Sequence, residues 1–329
     1  PQDYVQTKLY TGNGQSSLDI DLDFSPDWVW IKRRTASQSY VVANKLSGDD
    51  KFIASNGNGA EETDNTKFRN FLTNSFRVGS HAGVNNNNST YVSWNWKANG
   101  SGGSNTNGTI NTTATTVAAH GGFSISTYTG TGSNATVGHG LSSAPTYVII
   151  KERNGTENWI VGTGSFTGRL LLDENQAIGT SSVQFRDTVP SSTVVTIGTH
   201  ASVNRNSSAT YVMYCFADVD GMQKIGTYTG NANANGTFVY TGFRPAWIMI
   251  KKLAAGDWGI YDNKRNGINE ENAVLYPSDD IAEENQSSRR IDLLSNGFKL
   301  RTSNATFNAS SATTFLAFAD QPFKYSNAR

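Results

Sequence analysis

The sequence predicts an all-β protein made of three tandem antiparallel β-sandwich domains of the lectin-like or jelly-roll type. Three observations support this prediction. A strand-like segment occurs three times, the blocks around it recur in one order, and turns rich in Gly, Asn and Ser separate short apolar runs. No segment longer than about nine residues has a clear helical period.

The repeated segment starts with a proline, continues through an aromatic and three further apolar residues, and ends at a lysine. Four apolar residues of mainly β-branched and aromatic type predict a strand that is buried on both faces. Proline cannot donate a hydrogen bond to a β-ladder, so it belongs at or just before the first residue of the strand. The three copies run from Pro26 to Lys32, from Pro145 to Lys151 and from Pro245 to Lys251.

Three further blocks recur around this strand. A Tyr-Thr-Gly turn lies upstream, a strand led by an aromatic lies downstream, and a closing strand begins with threonine. The prolines are 119 and 100 residues apart, and the tyrosines of the turn are 118 and 100 residues apart. This regular spacing indicates an internal triplication. The turns start at Tyr10, Tyr128 and Tyr228, the downstream strands at Tyr40, Trp159 and Trp258, and the closing strands at Thr90, Thr210 and Thr314.

We name the three predicted domains unit one (residues 1–97), unit two (residues 110–219) and unit three (residues 220–329, including a C-terminal tail). Residues 98–109 are rich in Gly, Ser and Asn without an apolar period, which predicts a flexible linker that tethers unit one loosely. Inside unit one, the segment from Asp64 to Leu72 is a candidate short helix, because Phe68, Phe71 and Leu72 would share one side.

The bulk composition excludes several classes of protein. The 329 residues contain 27 basic and 27 acidic side chains, which argues against a nucleic-acid-binding domain. No apolar run approaches the roughly 20 residues that span a bilayer, so we expect no membrane insertion. The single cysteine, Cys215, lies in a closing strand and is expected to be a small buried apolar residue.

We expect a protein without catalytic residues, metal or cofactor. The four histidines are scattered and show no zinc-ligand spacing. Acidic doublets could supply the two carboxylates of a glycosidase, but unit two has no counterpart, so charged loops are the preferred interpretation. The doublets are Asp49-Asp50, Glu61-Glu62, Asp279-Asp280 and Glu283-Glu284.

Two further patterns have a functional and a structural interpretation. Asp19, Asp21 and Asp23 could begin a calcium loop, but they alternate with apolar residues, which favours the solvent face of a strand. The aromatics that lead the downstream strands could form a sugar-stacking platform. A residue of apolar type follows two positions later in each copy, on the same face, which favours core packing.

The repeated blocks resemble a β-sandwich domain that recurs in virion structural proteins of tailed bacteriophages, many of them of the marine or cyanophage type. The closing segment from Phe318 to Arg329 is also similar to the end of such proteins. The resemblance implies a non-enzymatic virion protein on the particle surface, acting in tail-fibre or tail-tip adhesion or in head decoration. It implies other virion proteins and host-surface glycan as partners and a homo-oligomer in the particle. The alternative is a glycan-degrading hydrolase of the tailspike type.

The C-terminal tail supplies the only candidate contact residues for a partner. Pro322 must interrupt the last ladder, and two aromatics and two cations follow it. We expect the aromatics to dock in a groove of unit three or on a neighbouring subunit, with a disordered terminus as the alternative. The candidate residues are Phe323, Lys324, Tyr325 and Arg329.

Overall fold

The protein is an all-β protein with several antiparallel sheets. The structure, a computed structural model, describes residues 3–320. Strands account for 42% of these described residues and helix for 3%, which confirms the predicted all-β class with antiparallel sheets.

Units one and two each consist of strands and one short helix. In unit one they are β1 (Val5–Thr11), β2 (Leu18–Asp21), β3 (Trp28–Arg33), β4 (Val41–Asn44), β5 (Lys51–Phe52), β6 (Glu62–Thr63), β7 (Phe68–Leu72), β8 (Ser75–Val78), α1 (Ala82–Asn85) and β9 (Thr90–Trp96). In unit two they are β10 (Ala114–Val117), β11 (Phe123–Thr129), β12 (Ala135–Gly138), β13 (Tyr147–Glu152), β14 (Ile160–Thr163), β15 (Gly168–Leu171), β16 (Gly179–Thr180), β17 (Val194–Ile197), α2 (Ala201–Asn204) and β18 (Thr210–Phe216).

The long strands of unit three follow in the same order as those of units one and two, and a short 3-10 turn lies at Ser287–Arg289. Its strands are β19 (Gln223–Thr229), β20 (Phe238–Tyr240), β21 (Pro245–Lys252), β22 (Trp258–Asp262), β23 (Ala273–Val274), β24 (Glu284–Asn285), β25 (Ile291–Leu294), β26 (Gly297–Leu300) and β27 (Ala312–Ala319).

Each unit contributes one inner sheet of the same strand order. The orders are β1-β9-β3-β4, β11-β18-β13-β14 and β19-β27-β21-β22, and unit two extends its sheet with β10, β15 and β16. The repeated proline segments form β3, β13 and β21, each between the closing strand and the downstream strand. Their first aromatics face equivalent partners, because Trp28 lies opposite Trp96, Tyr147 opposite Phe216, and Trp247 opposite Phe318.

Alternating residues of these strands serve two different cores. In β3, Trp28 and Trp30 belong to a cluster that takes residues from all three units, which we call the central core. Val29 and Ile31 point the other way, into a cluster built from unit one alone. Units two and three have corresponding clusters of their own, and we call these three clusters the outer cores. Period-two geometry therefore buries both faces of each inner sheet.

Aromatic pairs join every two units across the central core. The contacts have ring-centroid separations of 4.6 to 6.0 Å, within the usual range for packed aromatic rings. They are Trp28 with Tyr214 between units one and two, Trp96 with Trp247 between units one and three, and Phe216 with Phe318 between units two and three.

Each outer core is closed on its far side by a smaller sheet. These sheets have the orders β2-β8-β7 in unit one, β12-β17 in unit two and β20-β26-β25 in unit three. Each unit is thus two layers thick, with the inner sheet facing the other units and the smaller sheet facing outward.

The connection between units one and two is bonded to both of them. The amide of Ala98 donates to the carboxylate of Asp27 at 2.7 Å, and Gly103 pairs with Thr115 in an isolated bridge. The loose tether expected for unit one is therefore wrong. Small polar residues leave the backbone free to bond to neighbouring strands, and unit one is held by the central core.

The predicted helix from Asp64 to Leu72 is also wrong. Phe68–Leu72 is strand β7, which pairs with β8. A β-bulge between Phe68 and Asn70 shifts the register by one residue. The extra residue turns a period of two into a local spacing that imitates the i, i+3, i+4 pattern of a helix.

Candidate functional site

Three buried lysines lie at the boundaries between units. They are the lysines that end the repeated proline segments, and each is 0% exposed. Each ammonium group donates to the carbonyl of the next residue, to a carbonyl three or four residues on, and to a carbonyl of another unit. The bonds between units run from Lys32 to Asp280 (3.0 Å), from Lys151 to Asn58 (3.1 Å) and from Lys251 to Gln176 (3.0 Å).

These bonds form a closed ring, which we call the lysine ring. The lysine of unit one bonds to a carbonyl of unit three, the lysine of unit two to a carbonyl of unit one, and the lysine of unit three to a carbonyl of unit two. Burial lowers the pKa of each lysine to about 8, and three carbonyl oxygens accept from each ammonium group. An ammonium group has three N–H donors, so all of them are satisfied at neutral pH.

Two of the three boundaries carry an Arg–Glu pair next to the lysine. Arg34 binds Glu283 through two bonds of 2.9 and 2.7 Å, and Arg153 binds Glu61 through two bonds of 2.9 and 2.8 Å. This bidentate geometry is the strongest form of a charge-assisted hydrogen bond. Both ion pairs join one unit to another, so they add to the bonds that the lysine ring makes between units.

The third boundary replaces the ion pair with aliphatic residues. The carbonyl of Leu253 accepts from the amide of Ile178 at 2.7 Å. The same backbone bond joins the arginine to the glutamate at the other two boundaries, which identifies Leu253 and Ile178 as the equivalent positions. The boundary between units three and two thus has no ion pair at this position.

A concave feature lies at that same boundary. It is a cleft of about 440 Å³ with an acidic lining. Burial raises the pKa of Asp173 to about 6, and its carboxylate accepts from the Trp159 amide at 3.0 Å. Glu284 accepts from the Tyr276 hydroxyl at 2.5 Å. The lining residues are Asp173, Glu174, Asn175, Asp257, Tyr276, Ser278, Asp279, Ile281, Glu284 and Arg289.

The cleft can attract cations, but its carboxylates are partly engaged by the protein. Arg289 lies 3.3 Å from Asp257 and 3.9 Å from Glu284. Within residues 3–320, no group of three or more His, Cys, Asp and Glu side chains is arranged to hold a metal ion. The same residues contain no helix that is long and apolar enough to cross a membrane.

The acidic doublets have several local roles. Glu61 and Glu283 bind arginines across unit boundaries, and Asp279 and Glu284 line the acidic cleft. The backbone carbonyl of Asp280 accepts from a lysine of the ring. Sequence reasoning found these residues as loop charges and missed that several of them join units.

The other patterns also have clear positions. Asp19, Asp21 and Asp23 lie on the exposed side of their segment, as alternation predicted, and Asp19 pairs with Arg77 at 2.5 Å. Cys215 is buried, as expected. The aromatics that lead the downstream strands are at most 1% exposed, which confirms core packing over a sugar platform. They are Tyr40, Trp159 and Trp258.

Sequence reasoning missed an exposed aromatic pair, Phe238 and Tyr240, on the outer sheet of unit three. The run Thr-Phe-Val-Tyr-Thr carried the signal, because an aromatic on each side of one valine puts both rings on the face opposite to it. The predicted contact residues Phe323, Lys324, Tyr325 and Arg329 lie outside the described residues, and their docking stays a prediction.

Comparison with known proteins gives one family. A family model described as a domain of unknown function, DUF7483, matches residues 1–322. No curated protein matches the chain. Because the matched region includes all three inner sheets and the lysine ring, the chain belongs to the DUF7483 family.

Proposed function

We propose that this protein is a non-enzymatic structural component of a bacteriophage particle, displayed on the particle surface. The observation that carries the proposal is the closed ring of three units around one central core. Such a ring presents the loops of three units from a single chain, held together by a shared core and by bonds between the units. Such an arrangement suits a protein displayed on the surface of an assembled particle.

The resemblance to phage proteins supports the same proposal. The residues that carry it are the repeated strand and the closing strand, and these residues build the ring. Trp247 and Phe318 pack against each other at 5.6 Å, and Lys251 closes one boundary. The likeness therefore concerns the part of the chain that holds the units together.

Labelling of intact particles tests this proposal. An antibody raised against the purified protein should bind the surface of intact particles of the phage that encodes it, and mass spectrometry of purified particles should detect the chain. Detection in the infected-cell lysate together with absence from purified particles would contradict the proposal.

A competition assay separates adhesion from decoration. An adhesion protein should bind host cells and reduce adsorption of the phage when it is added in excess. A decoration protein should bind assembled heads and change their stability without changing adsorption. Release of reducing sugar from host polysaccharide by the pure protein would favour the hydrolase alternative and overturn the non-enzymatic role.

A further inference from the structure

The outer sheet of unit three exposes two aromatic side chains on one short strand. Phe238 is 42% exposed and Tyr240 is 66% exposed, whereas Val239 between them is only 6% exposed. Val239 belongs to the outer core of its unit, so the two rings point away from that core. The apolar area that these two rings leave in water contributes nothing to folding, because stabilisation follows the area that is buried.

The other units show that the fold does not need these rings. Strands β2 and β12 hold the equivalent place, since their central residues Ile20 and Val137 enter their own outer cores. Ile20 lies opposite Phe76, Val137 opposite Val195, and Val239 opposite Phe298. The residues on either side are Asp19 and Asp21 in unit one, and Thr136 and Gly138 in unit two.

The neighbours of these positions also differ between units. In unit one, Asp19 is paired with Arg77. In unit two, the connecting segment lies against the strand, and the amide of Thr109 donates to the hydroxyl of Thr136 at 2.9 Å. Among residues 3–320, unit three shows neither arrangement at its two rings, which form an exposed apolar patch.

The shape of the patch fits a flat ligand. Gly297 lies opposite Tyr240 in the ladder, and a Cβ there would lie 3.0 Å from Cζ of Phe238. The glycine therefore lets the phenyl ring lie close over the sheet. Two rings at positions i and i+2 of a strand lie on the same face of the sheet and form an apolar surface there.

A charged rim borders the patch on the same face. Lys299 lies opposite Phe238 and also opposite Asp292. Arg301, the next outward residue after Lys299, lies 3.2 Å from Asp292 and 3.4 Å from Glu270. These side chains offer hydrogen-bond donors and acceptors side by side, next to the aromatic surface.

We propose that this aromatic patch binds a sugar residue of a surface glycan. This inference rests on the proposed function, of which it names the ligand class. A pyranose ring has one face of C–H groups, which packs on an aromatic ring, and an edge of hydroxyls, which bonds to paired charged groups. Phe238 and Tyr240 supply the stacking surface, and Lys299, Asp292 and Arg301 supply the polar edge.

The size of the patch disfavours a protein partner. A stable protein interface buries about 800 Å² on each side, whereas two side chains of this kind offer only part of 150–250 Å² each, about a quarter of that area. One sugar on such a surface binds weakly, and many copies on one particle raise the overall affinity without any new contact.

The test uses the full chain and an array of bacterial polysaccharides and lipopolysaccharides. Two variants remove the rings, the single change Tyr240→Ala and the double change Phe238→Thr with Tyr240→Gly, which copies the unit-two residues. The control is Asp19→Ala, at the equivalent strand of unit one. Melting temperatures of all variants should stay within a few degrees of the parent.

The parent should bind at least one glycan, the single variant should lose about tenfold and the double variant more, and the control should bind as the parent does. Equal binding by parent and double variant, or no binding of the parent to any glycan on the array, would overturn the inference. Dimerisation of the parent that the double variant loses would also overturn it, because a second copy would then cover the patch. The particle-labelling result does not depend on any of these outcomes.

Discussion

The central core and the three outer cores are built by opposite faces of the same strands, yet they differ in the units that contribute residues to them. Each outer core takes its residues from one unit, whereas the central core takes them from all three. A separated unit could keep its outer core but would expose an inner face of aromatic residues such as Trp28 and Trp94. A soluble domain rarely exposes so large an apolar patch. The comparison indicates that the units depend on each other for stability.

The largest effect should come from removing an aromatic side chain of the central core. Trp247→Ala removes an indole that packs against Trp96 and Phe318, and it should cost about 3–5 kcal/mol in the free energy of unfolding. Hydrogen exchange should speed up in the inner strands of all three units. The matched change Ile248→Ala, on the other face of the strand, should speed up exchange first in β20, β25 and β26. If Trp247→Ala affected unit three alone, the shared core would not couple the units.

A smaller effect is expected from the lysine ring. Lys151→Met keeps the apolar stem but removes the donor from one buried and two partly buried carbonyl contacts, which should cost about 2–3 kcal/mol. Urea unfolding would measure this change. Lys252→Met serves as a control, because its ammonium group bonds at the surface and its loss should cost no more than about 0.5 kcal/mol. Equal costs for the two changes would contradict a role of Lys151 in joining units.

The charged and aliphatic boundaries can be compared by exchanging one for the other. Arg153→Leu alone leaves the Glu61 carboxylate without its bidentate partner and should cost about 1–2 kcal/mol, less than for a fully buried pair because both side chains retain some exposure. Adding Glu61→Ile, which copies Ile178 and Leu253 of the third boundary, should recover most of that loss. A double-mutant cycle measures the coupling. Additive losses would show that the boundaries are not equivalent.

The smallest effect is a dependence of stability on pH at the acidic cleft. Burial raises the pKa of Asp173 to about 6, above its ordinary value, so the folded protein binds this proton more readily than the unfolded chain. The contribution of Asp173 to stability therefore increases as the pH falls from 7 to 5. Histidines with lowered pKa act in the opposite direction, so the measurement is the difference between the parent and Asp173→Asn. The variant should gain less stability, or lose more, over this range. Parallel pH curves would contradict the raised pKa.

The sequence predicted the inner strands because their chemistry is local. Alternation in Trp28-Val29-Trp30-Ile31 requires two buried faces, and Pro26 and Lys32 mark the ends of the run. It could not predict which unit covers each face, since that depends on pairing between segments distant in the chain. The closed ring of bonds between the three units is therefore visible only in the structure.

Two features of the candidate sites could not be predicted from the sequence, for other physical reasons. A lysine at the end of an apolar run indicates only that the strand ends there. Nothing near Lys151 in the sequence indicates that the carbonyl of Asn58, 93 residues away, accepts a hydrogen bond from it. Phe238 and Tyr240 are residues of core type, so their exposure could not be predicted from their identity. The helix expected around Phe71 failed because a bulge altered the apparent period.

Calorimetry of the full chain tests most directly whether the three units fold as one body. A shared central core predicts one unfolding transition in which the calorimetric and van't Hoff enthalpies agree, with fluorescence and circular dichroism giving the same midpoint. Three resolved transitions, or a calorimetric enthalpy about three times the van't Hoff value, would show that each unit unfolds by itself. That result would contradict the central core as the feature that holds the molecule together.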